Sequence, residues 1–164
     1  MLSFIQELVV GYEDTNNKIA KIVIYNEIRK YLENSNPWAV AYDMEACVAL
    51  YKYSVTSCQR TYALKEISDI IMDDFIGDDG IVSNFKEFVV MKGFLHDDDM
   101  EWFDSCCMSV LKYFDDKVKK SLKSKKHSTD SNVLKKYLRE VVDSVKSTEM
   151  TDMRSYKFAC NVLI

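Results

Sequence analysis

The sequence predicts an all-α protein, a single-domain bundle of about seven or eight helices covering residues 1–164. Three observations carry that reading. Apolar residues recur every three or four positions along most of the chain, the spacing that gives a helix one buried face. Glycine (4) and proline (1) together make five of 164 residues, against roughly 12% in average usage, so a turn-rich β-sandwich or barrel lacks its turns. At 48% apolar and 29% charged the chain is long and greasy enough to bury one core.

Taken in order, Leu2, Ile5, Leu8, Val9 and Tyr12 make the first apolar stripe. Ile19, Ile22, Val23, Ile28, Tyr31 and Leu32 make the second, which should stop near Asn34 to Pro37. Pro37 suits the first turn of a third helix through Trp38, Ala41, Met44, Cys47, Val48 and Tyr51. Residues 53–61 are polar and β-branched and carry no clear pattern. From Tyr62 the stripe resumes with Leu64, Ile67, Ile70, Ile71 and Phe75, and ends by the Gly77-Asp-Asp-Gly80 turn, where glycine tolerates positive φ. Ser83 or Asn84 can cap the next helix, with Phe85, Phe88 and Val89 inward. Asp97, Asp98 and Asp99 favour the N-terminus of a helix burying Trp102, Phe103, Cys106, Cys107, Val110, Leu111 and Phe114. Ser131 can cap a helix bearing Val133, Leu134, Tyr137, Leu138, Val141, Val142 and Val145, and Thr151 a last one bearing Met153, Tyr156, Phe158, Ala159 and Val162. A parallel α/β fold competes through residues 21–25 and 88–91, whose β-branched content suits strands. Both runs lie within longer helical stripes, which favours the bundle.

Composition narrows the chemistry. Five cysteines, an odd number, sit in apolar stretches without CxxC spacing. With no basic start or cleavage site in residues 1–12, they read as reduced, buried thiols of a cytoplasmic protein. The apolar run at residues 158–164 is 7 residues long, whereas a membrane span needs about 20. A formal charge of −4 makes nucleic acid an improbable general partner. The acidic segment around Gly77 and Gly80 suggests a calcium loop, but the spacing fails. With Gly80 at the sixth position, the twelfth is Lys86 rather than a bidentate carboxylate. No metal ligand set, cofactor loop or catalytic constellation emerges, so no enzyme activity is expected. Charge is distributed unevenly: 14 acidic and 4 basic residues between Thr61 and Asp116, a local net of −10, precede Lys117, Lys119, Lys120, Lys123, Lys125 and Lys126. That lysine run suits a helix C-terminus. Its functional alternative is an adaptor gripping nucleic acid or anionic lipid through residues 117–126.

Three segments carry a family resemblance. Glu7-Leu-Val-Val10 followed by Gly11-Tyr12 resembles the first helix of Bcl-2 proteins. Residues 70–95 resemble that family's helix, acidic-glycine turn and central helix, with Phe75, Asp79-Gly80 and Lys86 near the positions of its Phe, Asp-Gly and Arg. The family's Asn-Trp-Gly-Arg signature appears as Ser83-Asn84-Phe85-Lys86. Lysine there lacks the bidentate fork that pairs with the aspartate of a helical death motif. Such erosion, with small size, is similar to the divergent Bcl-2-like proteins of poxviruses. Residues 102–122, with Tyr113-Phe-Asp-Asp116, are similar to a late helix in some of them. The resemblance implies a central apolar helical hairpin. It also implies a non-enzymatic module, without cofactor or metal, that blocks host apoptosis or NF-κB innate signalling from the host cytoplasm. Its partner would be a host death-motif protein or signalling adaptor, a homodimer being compatible with it. The groove or helix face would be drawn from Leu50, Tyr53, Phe85, Lys86, Phe88 and Val89.

Overall fold

Side-chain caps and apolar stripes set most of the helix boundaries in the computed structural model, which describes residues 1–34, 43–73, 76–124 and 128–147. Among the described residues there are seven α-helices, two short 3₁₀ segments and no strand, so the all-α reading holds. The two segments that could pass for strands are helical. Pro37, Trp38 and the helix expected from Thr151 lie outside the described residues. Contacts divide the chain into two compact units, Met1–Met72 and Asp73–Ile164.

The first unit holds α1 (Phe4–Asp14), α2 (Lys18–Asn34), α3 (Met44–Lys52) and α4 (Ser57–Ile71). Ser3 and Gln6 start α1 with a reciprocal capping box: Ser3 Oγ accepts from the Gln6 amide at 3.1 Å and Gln6 Oε1 from the Ser3 amide at 3.0 Å. Two backbone donors that would otherwise be orphaned are thereby satisfied. Asn17 Oδ1 serves Ile19 and Ala20 at the head of α2, and Asp43 serves Ala46 at the head of α3. Seven of the nine residues of α3 are buried, which makes it the central helix of this unit, packed against α1, α2 and α4. Thr56 caps α4 by accepting from the Gln59 amide. The helix therefore begins at Ser57, five residues before the first clear apolar repeat at Tyr62.

The second unit holds α5 (Gly77–Phe88), a 3₁₀ stretch Val89–Phe94, a 3₁₀ turn Asp97–Asp99, α6 (Met100–Lys123) and α7 (Ser128–Ser147). Two boundary expectations are corrected here. The segment Gly77-Asp-Asp-Gly80 is the first turn of α5 rather than a turn before it, so neither Ser83 nor Asn84 is a cap. Only Gly77 has positive φ, +81°. Gly80 is required for space, since a Cβ there would clash with the Ile76 side chain. Asp78 and Asp79 lie in the first helical turn, where the helix dipole favours negative charge. Ser131 likewise lies inside α7, not at its start, and its hydroxyl is buried without a hydrogen bond.

Helix α6 packs most extensively on α7, and α5 also lies against α7. Phe88 fills the aromatic core of the unit. Its ring stacks on Phe103 at 4.6 Å and meets Trp102 edge-on at 5.7 Å and Phe85 at 5.7 Å. Phe103, Cys106, Cys107, Val110, Leu111 and Phe114 are buried as expected, while Trp102 is only partly so. Asp115 is also buried in α6. Lys119, one turn on, approaches its Oδ2 to 3.0 Å as an ion pair, although neither oxygen has a well-oriented hydrogen bond.

Candidate functional site

The six residues singled out from the sequence fall into both units. Leu50 and Tyr53 belong to the first. Leu50 is fully buried on α3, and Tyr53 closes that helix with little exposure. Phe85, Phe88 and Val89 are buried in the second unit, where their rings and methyls contribute to the core and offer a partner no open face. Lys86 points outward and pairs with Glu140 of α7 at 3.4 Å. The lysine run is partly engaged as well. Lys117 donates to Asp78 Oδ1 at 2.7 Å, and Lys119 pairs with Asp115.

An apolar opening lies within the first unit, on one side of α2. A cavity of about 340 Å³ is lined by Tyr12, Lys18, Lys21, Ile22, Tyr25, Asn26, Tyr53, Val55 and Gln59. Its volume is at the lower edge of the roughly 300–1,000 Å³ range of ligand clefts, enough for a few side chains rather than a whole helix. One wall is aromatic: Tyr12 and Tyr53 stack with centroids 3.8 Å apart and planes 20° from parallel. That stack is held from behind. The Tyr53 hydroxyl donates to Glu13 Oε1 at 2.7 Å, and Lys52 reaches the same oxygen at 3.0 Å. The Tyr53 hydrogen bond and then Lys52 hold the Glu13 carboxyl below its ordinary pKa. Burial, followed by the hydrogen bond and charge of Glu13, pushes the Tyr53 phenol up, so at neutral pH Tyr53 remains a neutral donor.

Around this cavity the surface is apolar where water would favour polar groups. Val55 is 82% exposed, Ile19 73% and Ile22 60%, with Val23 also exposed beside them on α2. Positions 19, 22 and 23 are neighbours on one helix face. The sequence reading assigns these three residues to a buried stripe, and the structure corrects it: α2 buries Tyr25 and Ile28 instead. A signal was present in the sequence. Ile19, Ile22, Val23, Ile24, Tyr25, Ile28, Tyr31 and Leu32 cover nearly the whole circumference of a 3.6-residue helix, more than one packing face can bury.

Charge frames the same opening. Lys18 and Lys21 line it, no carboxylate does, and among the described residues neither lysine is within ion-pair distance of an acid. The Lys21 ammonium lies 5.0 Å from the Tyr12 ring centroid, a cation–π contact that holds it over the aromatic wall. The Tyr25 hydroxyl, close to Ser54 and Arg29, is buried and makes no well-oriented hydrogen bond. Chemically, the site can take an apolar group against stacked rings and place two cations beside it. Among the described residues no helix is long and apolar enough to cross a membrane. Comparison with protein-family models, with characterised proteins and with solved structures finds no match to this chain.

Proposed function

We propose that the chain is a non-enzymatic interaction module that docks an amphipathic helix of another protein on the α2 face of its first unit. One observation carries this reading. Ile19, Ile22, Val23 and Val55 form an exposed apolar surface that continues into an aromatic-walled cavity, a combination that marks an interaction site on a folded domain. The likeness of residues 7–12 and 70–95 to Bcl-2 proteins supports a host apoptosis or NF-κB signalling protein as partner and the host cytoplasm as the setting. The docking surface proposed here shares only Tyr53 with the groove expected from sequence, because the other five of those residues are buried or paired.

Titration of the full chain with fluorescein-labelled helical death-motif peptides tests the reading. Binding of micromolar strength or better is expected, with Ile22→Asp weakening it at least about tenfold, or about 1.4 kcal/mol. Circular dichroism should show that the variant keeps its helices. Peptides that bind the Ile22→Asp and parent chains equally, or that bind neither, would refute docking on this face.

A further inference from the structure

We infer that the helix seated on this surface is acidic: it places an apolar anchor in the Tyr12–Tyr53 cavity and a carboxylate against Lys18 and Lys21. The inference rests on the docking reading above and goes further by naming the partner's charge pattern. Lys18 and Lys21 are one turn apart on α2 and both line the cavity without a carboxylate among its lining residues. The nearby acid, Glu13, is occupied by the Tyr53 hydroxyl and Lys52. The Lys21 charge also acts on Glu13, but among the described residues neither lysine forms an ion pair. Cations beside an apolar cleft attract an acidic group and repel a basic one, so they select among amphipathic helices that would otherwise fit equally.

Shape separates a helix from a small anionic amphiphile. An acyl chain would be served by the cavity alone, whereas Ile19 and Val23 are exposed on α2 but do not line the cavity. Their positions extend the apolar surface around α2 beyond the cavity mouth, which suits a partner broader than a single acyl chain. Within that partner the anchor and the acid must be three or four residues apart, so that both fall on the face turned toward α2.

The probe is a designed, fluorescein-labelled amphipathic helix of about 18 residues with leucines on one face and a glutamate four positions from the central leucine. Two companions carry glutamine or lysine in place of the glutamate. Anisotropy titration of the full chain in about 0.05 M salt should rank them glutamate, glutamine, lysine, with at least about a fivefold step between the first two. The step should shrink at about 0.5 M salt and disappear in Lys18→Gln/Lys21→Gln. Equal affinity for the glutamate and glutamine peptides, or a preference that survives the lysine changes, overturns the charge pattern and leaves apolar docking standing. Loss of all three peptides in Ile22→Asp supports the docking on which the inference depends, and failure of all three on the parent chain overturns both. Ile19→Asp/Val23→Asp should weaken the glutamate peptide about tenfold. Unchanged binding there would mean that the cavity alone is used, as a small amphiphile would use it, and would overturn the helical partner.

Discussion

Truncating Phe88 separates a core aromatic from a groove aromatic, because the two roles differ by several kcal/mol. The side chain is fully buried, stacked on Phe103 at 4.6 Å and flanked by Trp102 and Phe85. Replacing a buried phenylalanine by alanine costs about 3–5 kcal/mol in lost transfer energy and residual cavity. Three aromatic neighbours place Phe88→Ala in the upper half of that range, because the lost ring pairs add to the loss. With a urea slope near 2 kcal/mol/M, typical of a small protein, the unfolding midpoint should fall by about 2 M. Trp102 fluorescence in a Trp38→Phe background follows the relevant unit. Domain stabilities of about 5–15 kcal/mol leave Phe88→Ala marginal at the low end. Phe88→Leu, which keeps most of the volume and should cost less than about 1.5 kcal/mol, provides a second point. A loss below about 1 kcal/mol for Phe88→Ala, especially with altered peptide affinity, would place Phe88 on an open surface and refute the core assignment.

Three further outcomes are expected. Burial acts to raise the Asp78 carboxyl, but the hydrogen bonds from Lys117 and Tyr113 and the Lys117 charge outweigh it and hold its pKa below the ordinary value. A pKa depressed by folding gives stability that is complete above about pH 4 and is lost as pH falls through the lowered value. Asp78→Asn should therefore flatten the acid limb of the stability curve, at a cost of no more than about 1 kcal/mol at pH 7 once screening at the partly exposed Lys117 is counted; an acid limb identical to the parent's would refute the assignment. In a Cys160→Ser background, Ellman's reagent should modify exposed Cys58 quickly and buried Cys47, Cys106 and Cys107 only on unfolding. Burial raises the Cys47 and Cys107 thiols and withholds the reactive thiolate, so rapid release of two or more equivalents would contradict the packing. Lys86→Ala should cost at most about 0.5 kcal/mol, because its pair with Glu140 is solvent-exposed, and should leave peptide affinity unchanged; a large affinity loss would return the binding surface to α5.

The fold class was legible because period and composition report the same physics. Helical spacing of apolar residues requires a helix to bury them, and scarce glycine and proline leave few places to turn. The buried face of α6 was readable almost residue by residue for that reason. Boundaries were less legible. Asp78 and Asp79, with two glycines, read as a turn, but a helix N-terminus also favours acids, and the close approach of Ile76 to Gly80 depends on local backbone and rotamer geometry that periodicity does not carry. Ser131 had the chemistry of a cap and none of the geometry. At the candidate site only Tyr53 was anticipated. The exposed half of α2 was missed because isoleucine and valine look alike to a pattern whether they face a core or a partner.

The two units use their apolar residues differently, and that difference is what supports the proposed docking face. In the second, the large rings of α5 and α6 are buried against one another, and Phe88 is enclosed by three aromatic neighbours. In the first, α3 buries seven residues and supplies a core, after which Ile19, Ile22, Val23 and Val55 remain in water. Scattered surface aliphatics need no explanation, but three on one helix face, beside a cavity with a stacked tyrosine pair and two lysines that form no ion pair among the described residues, form a connected surface. Burying it internally would require α2 to turn Tyr25 and Ile28 outward, since no rotation of a helix apolar around its whole circumference hides both halves. A second polypeptide could cover the exposed half without disturbing the first, which is the arrangement proposed above.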